Sequence, residues 1–306
     1  MDTDQWIALV AALIGGALRV GTPYLFVSLG ECLTEKSGRI NLGLEGVLVL
    51  SAMAAFGGAY LSDSAWIGIL AGASAGALLA LLHGLLCSLP RVNDIATGIA
   101  LMILGLGLAF FWGKPLIQPQ APQIPTLALG AWSDSKVIQS ALQVNVLVPA
   151  GLVLALFLWW AFRYTRWGLM VRLAGESTSA ARALGYRVHF IRIAATSAGG
   201  FIAGLGGASL TLFYPGSWSE GVSSGQGLIA VALVIFARWC PLRCVLAAML
   251  FGAAGAMGPA LQSIGMNWGY HLFNTIPYAL TLLILILTCK PGSLATGSPS
   301  ELTPTR

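Results

Sequence analysis

Two strings in this chain have the spacing of a hydrolase nucleophile. GASAG at Gly72 to Gly76 and GVSSG at Gly221 to Gly225 both fit GxSxG, a pattern in which a tight strand-to-helix turn presents a serine hydroxyl to a histidine base. Ser74 sits in the middle of an unbroken apolar stretch, where no such turn can form. The three histidines, His83, His189 and His271, are scattered, and only His271 falls at the same outer level as Ser74. Gly72 and Gly76 already have another use, as a small-residue face that lets two membrane helices approach closely. An intramembrane serine hydrolase is therefore a remote alternative. Phosphate-loop chemistry is excluded: none of the four lysines, Lys36, Lys114, Lys136 and Lys290, stands in a GxxxxGK[ST] string. HExxH is missing, and CPLRC at Cys240 to Cys244 is a CxxxC spacing without a second ligand pair. Five cysteines, an odd number near predicted cytoplasmic helix ends, fit free thiols better than a disulfide framework. No catalytic residue, metal site or cofactor is expected on this chain.

The elements that carry these residues are set by composition. Of 306 residues, 57% are apolar and 9% charged, with a mean hydropathy of +0.82; a soluble domain carries about 25% charged residues. The apolar runs are continuous, which excludes the alternating strands of a β-barrel. The expected fold is an all-α, polytopic bundle of about nine membrane helices, with eight to ten allowed. The candidate spans are about Trp6–Leu29, Leu42–Leu61, Trp66–Leu89, Ile95–Trp112, Val144–Phe162, Ile193–Phe213, Leu228–Ala237, Val245–Leu261 and Leu272–Cys289. The seventh is too short to cross alone, so it is a broken or re-entrant helix or extends back through SSGQG. Residues 1–290 form one membrane domain. The last sixteen, 291–306, have no apolar periodicity and are expected to be disordered.

If the nine segments alternate, Lys36, Arg39, Arg91, the six arginines from Arg163 to Arg192, Arg238, Arg243, Lys290 and Arg306 share one side. That is 13 of the 16 basic residues, and the positive-inside rule then places the N-terminus outside and the C-terminus in the cytoplasm. The net charge of +5 thus reads as topology and gives no support to nucleic-acid binding. The start, MDTDQ, is acidic where a signal peptide needs a basic region, so the first span is expected to be retained. The stretch from Gly113 to Gln143 is proline-rich with few charges, an ordered external loop or short cap.

Three groups of residues remain for function. Around LAGESTSAARALGYRV, Ser177 or Thr178 can cap a helix that Ala180, Ala181, Ala183 and Leu184 continue and Gly185 ends. This short cytoplasmic helix, preceded by Glu176, reads either as a basic interfacial helix or as a knob gripped by a soluble partner. Glu45, four residues after Asn41 in INLGLEG, costs about 2.5–3.5 kcal/mol if it faces lipid. It must face protein or a watery path: it caps the broken 38–45 segment, pairs with Arg39, or touches a solute. Arg19 is comparably costly, and it either snorkels or pairs with Glu31. Phe213, Tyr214, Trp218, Ser223 and Ser224 mix aromatic rings with hydroxyls at an outer mouth, suited to planar solutes with polar edges or simply to an interfacial aromatic belt. Asn93, beside Asp94, and Asn274 are weaker candidates for the path.

Three ordered blocks resemble one family. GESTSAARALGYRVHFIRIAATSAGGFIAGLGGA is similar to the coupling-helix region of bacterial ABC importer permeases of the branched-chain amino acid, ribose and nucleoside superfamily. LGECLTEKSGRINLGLEGVLVLSA, from Leu29 to Ala52, and SSGQGLIAVALVIFARWCPLRCVLAAMLFG, from Ser223 to Gly252, resemble blocks of its nucleoside-type branch. Ala237 and Cys240, where the family more often has Gly and Asn, together with Arg243 and Cys244, depart from the pattern near the cytoplasmic face. The resemblance implies an inner-membrane permease without a cofactor of its own, moving a nucleoside or related small polar solute, with a flavin, sugar or branched-chain amino acid as alternatives. It also implies partners: a second permease subunit, identical or homologous, cytoplasmic ATP-binding subunits that hydrolyse the ATP, and an extracytoplasmic substrate-binding lipoprotein. Glu176, Ser177, Ala180, Ala181, Arg182, Leu184 and Gly185 would couple to the ATPase.

Overall fold

The computed structural model describes residues 3–128, 131, 138–139, 142–263, 275–288 and 299–302. Helix α1 runs Thr3–Lys36, α2 Leu44–Ser62, α3 Ala65–Leu86, α4 Asp94–Gly113 and α5 Leu147–Tyr164. Two short helices follow, α6 Arg166–Glu176 and α7 Thr178–Ala183, then α8 Val188–Leu212, α9 Gln226–Phe236, α10 Pro241–Ser263 and α11 Ile276–Thr288. Among the described residues, seven helices are long and apolar enough to cross a membrane. With the shorter α9 and α11, each of the nine expected apolar segments corresponds to one helix. The expected broken segment is α9: eleven residues, about 16 Å of helix, roughly half a hydrocarbon core.

One element lies outside the all-α expectation. In the loop before α5, β1 (Thr126–Ala128) pairs antiparallel with β2 (Gln143–Asn145), Leu127 opposite Val144. The loop is tied to the bundle where Ile124 N–H donates to the Leu212 carbonyl at 2.9 Å and Gln123 Nε2 donates to the Gly216 carbonyl at 2.8 Å.

The core is built on α2 and α8, the most buried of the spans, flanked by α1 and α3. Without a hydrophobic drive in lipid, close backbone approach must hold these helices together. A Cβ on Gly30 of α1 would collide with the Gly199 carbonyl of α8, and one on Gly76 of α3 would collide with the Gly200 carbonyl. Gly72 packs against Ser51 and Ala55 of α2, so the GASAG string is a packing face, while Ser74 is exposed. His271, the one base level with it, lies outside the described residues.

Helix α1 extends seven residues beyond the expected end at Leu29, because Cys32, Leu33, Thr34 and Glu35 are all buried. The chain then turns through Gly38 and re-enters the bundle. Asn41 N–H donates to Glu31 Oε1 at 2.8 Å, and Gly43 N–H donates to Asn41 Oδ1 at 2.9 Å. As a result α2 begins inside the bundle: a Cβ on Gly46 would lie 2.6 Å from the Met102 carbonyl, two turns, about 12 Å, into α4.

Candidate functional site

The interior start of α2 meets the start of α9. Gly225, in the left-handed region at φ +78°, turns the chain into α9 and leaves its first amides without helical partners. Glu45 supplies them. Its Oε2 accepts from Gly227 N–H at 2.7 Å, and its Oε1 accepts from Gly225 N–H at 3.2 Å and from the Ser223 hydroxyl at 2.5 Å. The carboxylate also lies on the positive end of the helix dipole. Glu45 is 7% exposed. Glu45 therefore has a structural partner, though neither of the two expected. Arg39 instead pairs with Asp94 at 2.6 Å, and the 38–45 segment is held by Asn41 and Glu31. Sequence reasoning set Glu45 near the inner face and Ser223 at the outer mouth; both lie at one interior level, because α2 starts deep and the chain after α8 descends before α9 forms.

At its other end α9 is held again. Arg238 and Trp239 both adopt positive φ, +50° and +53°, and the Trp239 indole N–H donates to Glu35 Oε2 of α1. A half-length helix is thus tied by buried carboxylates to α2 at one end and α1 at the other.

Beside the start of α9, on the side of the β ribbon, lies a cavity of about 550 Å³ between α1, α8, α9, α10 and α11. Its polar lining comes from Arg19, Tyr24, Tyr214, Ser224, Gln226 and Tyr278, with Leu210, Val222 and Ile229 as apolar wall. Gln226 Oε1 is buried without a hydrogen-bond partner among the described residues. The Tyr278 hydroxyl donates to the Ser224 carbonyl at 2.6 Å, closing α11 onto the α9 turn. Arg19 donates from Nε to the Gln143 carbonyl at 3.2 Å; Glu31, the expected alternative, stands about 18 Å further along the same helix.

Of the expected path residues, Tyr214 and Ser224 line this cavity, and Ser223 and Glu45 support its floor. The others are elsewhere. Trp218 is 1% exposed and packs on Gly113, a core residue. Phe213 closes the end of α8. Asn41 is buried in the re-entrant turn, and Asn93 caps α4, accepting from Ile95 N–H at 2.8 Å and Ala96 N–H at 3.2 Å. Asn274 lies outside the described residues. Sequence reasoning missed Tyr24, Gln226 and Tyr278. Gln226 had a signal, a lone amide between two glycines at a helix start; Tyr24 and Tyr278 looked like ordinary aromatic residues of apolar spans.

The second site is the loop around α7. Ser177 caps this helix, accepting from Ala180 N–H at 3.3 Å, and Gly185, at φ +81°, ends it as Tyr186 N–H bonds back to the Ala181 carbonyl. Ala180 and Leu184 are exposed, Arg182 reaches His189 at 3.4 Å, and Ala181 is fully buried. Ala181 thus anchors the helix and belongs to no outer face. Part of the tail lies here as well. Residues Ser300–Leu302 form a 3-10 turn whose Glu301 carboxylate accepts from Thr178 N–H at 2.9 Å and pairs with Arg192 at 3.2 Å. The Ser300 hydroxyl donates to Glu176 Oε2 at 3.0 Å. The expectation of a structureless tail fails at these residues, which also places this part of the tail on the face that carries α7.

A bundle of membrane-length apolar helices, with one eleven-residue helix whose start borders a cavity of about 550 Å³, is the architecture of a polytopic membrane protein. The chain belongs to the family of permease components of branched-chain amino acid transport systems, whose model matches residues 7–289. It is similar to a putative glucose ABC transporter permease protein of Haloferax volcanii, at 31% identity with 97% of each chain covered. It is also similar to a nucleoside ABC transporter permease protein of Lactococcus lactis, at 29% identity with 90% and 91% covered, and to a guanosine ABC transporter permease protein of Bacillus subtilis, at 28% with 91% and 92%. It is accordingly a multi-pass membrane permease of an ABC transporter, a transport component; a hydrolase is not favoured.

Proposed function

We propose that this permease imports a nucleoside or a closely related neutral solute through the cavity at the start of α9. The observation that carries this reading is the Glu45 cap. A half-helix start aimed at a cavity ordinarily attracts anions, but here its first amides are already taken by a carboxylate. Apart from Arg19, whose Nε is turned to the Gln143 carbonyl, what remains for a solute is neutral: the Gln226 amide, tyrosine hydroxyls and rings, and the Ser224 turn. Planar rings with polar edges suit that lining better than a bare sugar or an amino acid zwitterion.

In this reading the chain lies in the bacterial inner membrane with its N-terminus outside and its tail and α7 in the cytoplasm. It works with a second permease subunit, two ATP-binding subunits and an external binding lipoprotein. The exposed residues Ala180, Arg182 and Leu184, on a helix fixed by Glu176, Ser177, Ala181 and Gly185, meet the ATPase. Closure of the ATPase dimer pushes this helix and shifts the bundle between outward-open and inward-open states.

Uptake of radiolabelled guanosine, glucose and leucine by cells expressing the whole transporter tests the solute. Guanosine uptake, strongly reduced by Gln226→Ala, is expected; glucose or leucine uptake without guanosine uptake would overturn it. For coupling, Ala180→Asp should abolish uptake while membrane insertion and thermal melting stay normal. Uptake at the normal rate would remove the docking role.

A further inference from the structure

Below α5 the molecule holds a second cavity, of about 320 Å³, that the transport path does not use. Four cations from four separate elements line it: Lys36 at the end of α1, Arg163 at the end of α5, Arg172 in α6 and Arg238 after α9. None of the four forms an ion pair with a described acidic residue; the two pairs among the described residues are Arg39 with Asp94 and Arg192 with Glu301. The carboxylate of Glu35, the residue before Lys36, is buried and engaged by the Trp239 indole, which forms part of the cavity wall. Cations at helix ends do complement helix dipoles. That accounts for Lys36 and Arg163 in the last turns of α1 and α5, but not for Arg172 inside α6, for four cations turned around one space, or for the left-handed backbone at Arg238 and Trp239, a conformation that costs non-glycine residues energy.

The surroundings indicate where an anion would come from. Directly along α5 from Arg163, the side chains Val153, Leu156, Phe157 and Trp160 form an exposed stripe at helical spacing. At the cavity itself the Arg163 guanidinium lies 5.9 Å from the Trp159 ring and 5.8 Å from the Tyr164 ring. Aromatic rings beside basic residues mark the level of phospholipid headgroups, and basic pockets between helices on that level hold anionic ones.

We infer that this cavity binds the phosphate-bearing headgroup of an anionic phospholipid, whose acyl chains lie along the apolar stripe of α5. The site would make the transporter's lipid surroundings part of its structure at the junction of α1, α5, α6 and α9.

Native mass spectrometry of the full chain in neutral detergent, with phosphatidylglycerol or phosphatidylcholine added, tests this. Retention of phosphatidylglycerol in preference to phosphatidylcholine is expected, unaffected by millimolar inorganic phosphate. Each basic residue near an anionic surface contributes about fivefold, so Arg172→Gln with Arg238→Gln should weaken retention about twenty-five-fold. The matched pair Arg182→Gln with Arg187→Gln, on the same face outside the cavity, should leave it unchanged. Equal retention of the two lipids by the wild-type chain would overturn the proposal without any variant. Displacement by inorganic phosphate would also overturn it, in favour of a free-anion site. So would lipid-independent protection of these arginines from chemical labelling when the ATP-binding subunits are present, in favour of an acidic protein face.

Discussion

The starts of α9 and α7 use the same chemistry in opposite surroundings. Each has a backbone amide bonded to a glutamate far away in sequence, Glu45 for α9 and Glu301 for α7. Around Glu45, two amides and a hydroxyl converge on a buried carboxylate. Around Glu301, one amide and one guanidinium meet a carboxylate whose side chain is 32% exposed. A buried polar group left unpaired pays its desolvation in full, whereas an exposed one is rescued by water. The first contact is therefore a fixed joint and the second a detachable latch.

Breaking the joint should have the largest effect. Glu45→Ala strands two amides and the Ser223 hydroxyl, at a cost of about 3 kcal/mol, so a marked fall in melting temperature and loss of uptake are expected. Unchanged melting would mean that the joint carries nothing. Next comes Gly227→Ala, whose Cβ would lie 2.6 Å from the Glu45 Cα. Crowding a packed interior costs about 1–3 kcal/mol, which a melting curve of the purified permease would register. At α7, Ser177→Ala removes a local cap worth about 1 kcal/mol; hydrogen exchange should quicken at Ala180 and hardly change at Gly227.

Glu301→Gln, which loosens the latch, should have the smallest effect, below about 1 kcal/mol for an exposed ion pair. It should read out as faster hydrogen exchange at the Thr178 amide, with melting unchanged. Its pH dependence follows from the carboxyl. Partial burial alone would raise its pKa, but hydrogen bonds from Thr178 and Arg192 outweigh this and hold it below the ordinary value of 4.5. A depressed folded-state pKa stabilises above the unfolded value, so the latch should be complete above about pH 4.5 and fade as pH falls through the lower folded value. Thr178 protection that persisted at the most acid pH would contradict it.

Much of the fold was legible because lipid imposes long apolar runs: among the described residues, a helix at each of the nine expected apolar segments, and the shortness of α9, could be read directly. Depth could not. INLGLEG announces a helix start, and nothing in it says that the start lies two turns inside the bundle, because that depends on the seven extra residues of α1 and the return through Asn41. The partnership of Glu45 with Ser223 and Gly227 therefore stayed hidden behind a separation of about 180 residues. The α7 helix was legible from its cap and its glycine stop, both local signals. The docking of Ser300–Leu302 was not, since it rests on three polar contacts in a segment without periodicity. Arg39 was matched to the wrong carboxylate for a similar reason: Asp94 is next to it only after α2 has run out and α3 has returned.

Helix α9 has one further mechanical property. It is pinned to α2 at its head and to α1 at its foot, and at each pin two successive residues take positive φ: Ser224 and Gly225 at one end, Arg238 and Trp239 at the other. A rigid rod between two such joints behaves as a connecting link. A displacement of α1 relative to α2 would be carried along its hydrogen-bonded turns to the two ends, and the turn at its head holds Ser224 and Gln226 in the cavity wall. The shortest apolar helix of the bundle is thus the part whose tilt reports the relative position of its two neighbours.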